Sequence, residues 1–187
     1  MSLNKLCIVA GLAILSGCAT LDEGECRTAD WYELGSRDGL AGQPLSRLHE
    51  HRKACAEYGV APLEQRYRDG RDAGLREYCR LDNAVRLGLK GERYDGVCPT
   101  HIDPTFRDYN DAAYAVHQTK AEIARIDTLL DDREKQLLDK KIGDAKRNEL
   151  RKEIREQDRK RDNLRDELRQ QERRLDWMMD EARRPGR

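Results

Sequence analysis

Six cysteines and four histidines are the side chains of this sequence with the richest chemistry. His51 and Cys55 are four residues apart, so on a helix they share a face and have a spacing that can hold zinc. His49, two residues from His51, points elsewhere on the same helix. The compartment argues against a metal. Lys5, the apolar stretch Leu6 to Leu15 and the small pair Ser16-Gly17 have the layout of a secretory signal. That stretch is too short to span a bilayer as a helix. In an exported chain, Cys26, Cys55, Cys79 and Cys98 form an even set that reads as a disulfide framework. Three pairings are open. Shorter loops close more readily, which favours Cys26–Cys55 with Cys79–Cys98. No metal and no cofactor are expected.

Cys18 has a separate chemistry. Leu15-Ser16-Gly17-Cys18 resembles the lipobox of bacterial lipoproteins, at which the signal is cut before the cysteine. The resemblance implies that residues 1–17 are removed, that Cys18 becomes a lipidated N-terminus, and that residues 18–25 form a tether. With Ala19 rather than an aspartate after the cysteine, it also implies anchoring in the outer membrane, at its periplasmic face. Each buried methylene contributes about 0.8 kcal/mol, so several acyl chains on one residue hold stably where a single chain is marginal.

Other chemistries find no support. There is no Gly-x-Ser-x-Gly, no phosphate-binding loop and no His-Glu-x-x-His. Carboxylates are plentiful, but almost all have basic neighbours on what reads as exposed helix. A catalytic pair needs a pocket that shifts its pKa values. With 39% charged and 5% aromatic residues, the material for such a pocket is scarce. No catalytic residue is expected. Lys plus Arg and Asp plus Glu each number 36, so there is no basic excess of the kind a nucleic-acid footprint needs.

The elements that carry these residues divide near residues 100–104. Residues 26–100 hold a repeat: Tyr32-x2-Gly35-x3-Gly39-Leu40 recurs as Tyr67-x2-Gly70-x3-Gly74-Leu75, and more loosely as Leu81-x2-Ala84-x3-Gly88-Leu89. Gly42 and Gly91 trail the first and third copies. Such spacings place the small residues on one helical face. Glycine costs about 1 kcal/mol against alanine inside a helix, so several on one face imply that the face is used. One use is close helix–helix approach, with the tyrosines and leucines supplying apolar area. The other is a ligand groove lined by Tyr32, Tyr67 and Tyr94. A short helix is expected from Leu45 to Cys55, ended by Tyr58-Gly59.

This region resembles a family of small, uncharacterised Gram-negative lipoproteins that carry a domain of unknown function. The resemblance rests on Asp30-Trp31, Gly35, Asp38-Gly39, the run from His51 to Cys55, the run from Tyr67 to Leu75, Tyr78-Cys79, Gly88, Gly91 and the run from Tyr94 to Pro99. It implies a location and an architecture, and no activity.

Residues 104–183 read as long helix. Val116, Ile123, Ile126, Leu130 and Leu137 follow one heptad stripe, and Leu150, Ile154, Leu164, Leu168, Leu175 and Met178 another. The two are out of phase, and the slip falls at Lys141-Ile142-Gly143-Asp144, a stop followed by a start. This predicts an antiparallel hairpin with its tip near Gly143; a single helix with a stammer is the competing reading. Arg133, Gln157, Arg161 and Gln171 interrupt the stripes and leave a thin core. Docking on the cysteine-paired region, self-association or a protein partner would complete it. Trp177, Met178 and Met179 are the expected sticky patch, and residues 184–187 a disordered tail. The expected fold class is therefore all-α: a small disulfide-stapled domain of short Gly-rich helices, then a long coiled-coil hairpin. The expected role is structural or adaptor-like. The alternative is a module that binds peptidoglycan fragments or another envelope component.

Overall fold

Seven helices and no strand make up residues 20–184, the part of the chain that the computed structural model describes. Residues 1–19, with the expected signal segment and Cys18, and residues 185–187 lie outside the described residues. Helix α1 (Glu23–Thr28) starts at a capping box: Asp22 accepts from the Glu25 N–H at 2.8 Å, and the Glu25 carboxylate accepts from the Asp22 N–H at 2.9 Å. The Asp30 side chain caps α2 (Trp31–Leu40) by accepting from the N–H groups of Tyr32 and Glu33. Next come α3 (Arg47–Ala56), α4 (Glu64–Tyr78) and α5 (Leu81–Leu89). The trailing glycines of the repeat end their helices. Gly42 takes φ +67° and Gly91 φ +86°, and the residue after each donates back into the last turn, Gln43 to Asp38 O and Glu92 to Leu87 O.

The glycine faces are used for close helix packing. Helix α2 crosses α4 with backbones in contact: a Cβ on Gly35 would lie 2.0 Å from Tyr67 O, and one on Gly70 would lie 1.9 Å from Tyr32 O. Gly39 meets Arg71 O and Gly74 meets Ser36 O in the same reciprocal way. The two copies of the repeat are therefore each other's partners, related by a local two-fold. Helix α5 repeats the device on α6 (Asp103–Leu137), where Gly88 approaches Asn110 O. Asn110 is fully buried there, accepting from Tyr94 N–H and donating to Ala84 O and Glu92 O.

The disulfides join Cys26 to Cys55 and Cys79 to Cys98, the short-loop pairing. Each sits in its own core. The first gathers Leu21, Trp31, Leu34, Leu48 and Tyr67; the second gathers Leu75, Val85, Leu87, Tyr94, Phe106, Tyr109, Val116 and Leu175. Two boundaries differ from those drawn on the sequence. Leu21, expected in a tether, is 5% exposed within the first core, so that core reaches into the segment expected to be tether. The second core runs past residues 100–104 and takes in the first four turns of α6. The apolar spacing of this helix continues unbroken from one core into the arm.

Helices α6 and α7 (Asp144–Arg183) form the antiparallel hairpin. Pairs Tyr109–Met178, Lys120–Glu172, Glu122–Lys160 and Arg133–Glu153 step along it in opposite chain directions. The turn spans residues 138–143, and Arg147 donates to Leu137 O across it. At 1.5 Å per residue the helices are roughly 52 and 60 Å long. Ile126, Leu130, Leu150 and Leu175 are buried between them, while Ile123, Ile154, Leu164 and Leu168 are only half covered. Arg161 crosses to Asp127 at 3.4 Å and also holds Asp158 at 2.8 Å, filling a polar layer in the stripe.

Candidate functional site

A largely buried polar clasp is built from four segments of the chain. Asp38, on α2, accepts from the Tyr67 hydroxyl at 2.6 Å and from His51 Nε2 at 2.9 Å. On the other side of the ring, His51 Nδ1 lies 2.9 Å from Thr20 Oγ1. With the ring proton on Nε2, Nδ1 accepts from the threonine hydroxyl. The order hydroxyl, imidazole, carboxylate is that of an acyl-transfer relay. Here, however, His51 is 2% exposed, and burial leaves a substrate no access to its ring. Burial opposes ionisation of Asp38, but the His51 and Tyr67 hydrogen bonds outweigh it and hold the carboxyl below its ordinary value. Burial and the Asp38 carboxylate push the Tyr67 hydroxyl well above its ordinary value. The clasp ties Thr20, α2, α3 and α4 together beside the Cys26–Cys55 bridge.

This disposes of the zinc spacing. Both ring nitrogens of His51 are engaged, and Cys55 is in a disulfide. Among the described residues no group of three His, Cys, Asp or Glu is placed to hold a metal ion.

The three tyrosines do not line one groove. Tyr67 is fully buried in the first core. Tyr94 belongs to the second, against Phe106, with ring centroids 4.6 Å apart. Its hydroxyl donates to Asp103 and accepts from the Cys98 N–H at 2.7 Å. Burial first, and Asp103 second, push that hydroxyl up to about 12. Tyr32 is half-buried at the α2–α4 crossing, with the Arg66 guanidinium 5.6 Å from its ring centroid. Each tyrosine supports a helix crossing or a loop, as the packing reading of the repeat expected.

The second constellation lies where the hairpin leaves the compact region. Tyr109 donates its hydroxyl to Met178 O at 2.7 Å, fixing α7 on α6. Beside this contact, Trp177 is 63% exposed. With Asp108, Asp111, Ala112, Ala115, Arg174 and Met178 it borders an open groove of about 480 Å³. The sequence gives this patch a packing role against the start of the first arm, around Tyr109, Ala113 and Val116, and the Tyr109–Met178 contact lies there.

The family comparison bears on the first constellation. Residues 30–115 match the model of a protein family of unknown function, DUF2799. The matched segment opens at the Asp30 cap of α2 and closes in the fourth turn of α6. DUF2799 therefore corresponds to the glycine crossings and most of both cores, and the hairpin arms lie beyond it. This agrees with the resemblance read from the sequence, to a domain of unknown function. No curated protein and no solved structure matches the chain.

Proposed function

We propose that this protein is a non-catalytic lipoprotein of the outer membrane that presents its helical hairpin to another envelope protein or to a second copy of itself. The observation that carries the reading is the unfinished core of the hairpin. Ile123, Ile154, Leu164 and Leu168 all keep part of their apolar surface in solvent. Each residue ordered along such an arm costs about 1–2 kcal/mol of backbone entropy, and a third helical surface would add apolar burial against that cost.

The anchor reading draws support from how near to Cys18 in sequence the first core reaches. Thr20 is held by His51 and Leu21 is buried, so a lipid on Cys18 would set the first core directly on the headgroups. The rigid, disulfide-paired cores then serve as the mount and the hairpin as the presented element. Among the described residues no helix is long and apolar enough to cross a membrane, so attachment in this reading is through the lipid.

Two experiments test it. Palmitate incorporation in cells should be lost in Cys18→Ser; full labelling of that variant would refute the anchor. Affinity capture from solubilised envelopes should recover a different envelope protein with the whole chain. It should disappear when residues 120–167 are replaced by a short Gly-Ser loop, which shortens both arms and keeps Leu168, Leu175 and Met178 against the second core. That protein captured equally by both forms would refute the role of the arms.

A further inference from the structure

We propose that the base of the hairpin is a self-docking surface at which two copies of this chain pair about a two-fold axis. The proposal rests on reading the hairpin as an interaction element, and it names the surface and the occupant.

Three observations meet at the groove between α6 and α7. First, its apolar centre is a large aromatic beside a shallow floor. Trp177 is 63% exposed, while Ala112 and Ala115, three residues apart on one face of α6, are half-buried and small. An indole that borders a groove floored by methyl groups has the shape to lie on an identical floor opposite. Second, the rim carries both signs of charge, acid from α6 (Asp108 and Asp111) and base from α7 (Arg174). Third, among the described residues these three groups take part in no ion pair, whereas elsewhere between the same helices Lys120 holds Glu172 at 2.8 Å, Lys160 holds Glu122 at 2.6 Å and Arg133 holds Glu153 at 2.7 Å.

A patch with acid on one side, base on the other and an apolar middle is complementary to itself. Under a two-fold, Arg174 of each copy faces the partner's Asp108 and the partner's Asp111, and both contacts form twice. A uniformly acidic or basic partner would meet a like charge on one side. Exposed Trp and Arg in such a patch are also the residue types that dominate association energies.

The test uses the mature chain, residues 18–187 with Cys18→Ser, which retains both cores, both disulfides and all seven helices. Sedimentation equilibrium should show a monomer–dimer equilibrium. Trp177→Ala, a change at an exposed side chain, should weaken it at least about tenfold while the helical circular dichroism is unchanged. The double variant Asp108→Arg/Asp111→Arg and the single variant Arg174→Asp should each be monomeric alone. Mixed, they should associate, because every cross-copy contact again joins opposite charges. A wild-type chain that stays monomeric at every concentration overturns the proposal. So does a wild-type dimer that Trp177→Ala leaves intact, or charge variants that fail to associate when mixed. A monomer would leave the wider reading of the hairpin standing, since capture of a different envelope protein tests that separately.

Discussion

Substituting alanine for Gly35 tests whether the repeat is a packing device. The new Cβ would stand 2.0 Å from Tyr67 O, 2.9 Å from Tyr67 C and 3.0 Å from Arg71 N, all backbone atoms of α4. A comfortable carbon–oxygen approach is about 3.3 Å, so α2 and α4 must separate by about 1.3 Å at this point. No side chain can rotate away to relieve the clash. Because Gly39, Gly70 and Gly74 make the same kind of contact, separation there loosens the whole crossing. Forcing one extra carbon into a packed core costs about 1–3 kcal/mol, and the rigid backbone on both sides puts this site at or above the upper end. Alanine returns about 1 kcal/mol of helix propensity, leaving a net loss of about 2 kcal/mol. For a chain of this size that is roughly 4–8 °C of melting temperature. Guanidinium unfolding followed by circular dichroism, with disulfides intact, measures it. Gly24→Ala is the control: it lies in a helix too, its Cβ would meet nothing closer than 3.4 Å, and it should be neutral or slightly stabilising. If Gly35→Ala proves as stable as the wild type, the close approach of α2 and α4 is wrong.

Two further predictions concern the clasp and the bridges. Tyr67→Phe removes a hydrogen bond to a charged acceptor and should cost about 1.5–3 kcal/mol in a guanidinium titration. Because Asp38 is held below its ordinary value, its contribution is full above the unfolded carboxyl value of about 3.9 and is lost as pH falls through the lower folded value. Asp38→Asn should therefore be the less stable protein at pH 7, with the gap to wild type narrowing below about pH 4; a gap independent of pH would refute this. Removing Cys79 and Cys98 together as alanines should cost about 3 kcal/mol, the closure entropy of a loop of this length. Non-reducing peptide mapping of the wild type should find these two linked, and Cys26 linked to Cys55.

The parts of the fold legible in the sequence are those set by local spacing. Gly35, Gly39, Gly70 and Gly74 announced a crossing because only a missing side chain allows carbonyls at 2 Å from the Cβ position. The hairpin turn was legible because Gly143 and Asp144 interrupt two heptad stripes that cannot be joined in phase. What was not legible lives in tertiary contacts. Thr20, Asp38, His51 and Tyr67 come from four separate segments, and nothing in their spacing says that they meet. His51 was read as sharing a helical face with Cys55, but its two hydrogen-bond partners were not legible. The second core was cut short at residues 100–104 because Phe106, Tyr109, Ala113 and Val116 keep the same periodicity as Ile126 and Leu130. A helix serving two cores in turn leaves no break in its pattern. The tyrosines were read both ways because an aromatic beside a glycine has the same spacing whether it packs or binds.

That shared helix has a mechanical consequence. Helix α6 enters the second core at Phe106 and leaves it after Val116, then runs to Leu137, and no glycine or proline lies between Thr105 and Ile142. Sharp bends in helices need such residues, a bulge or an inserted group. The arm therefore has no hinge where it leaves its mount, and it behaves as a lever clamped at one end. A load on the tip at Leu138, which is 80% exposed, is carried as torque through α6 into the helices held by Cys79–Cys98. The arm cannot swing free of its mount, so anything that binds the tip pulls on that core.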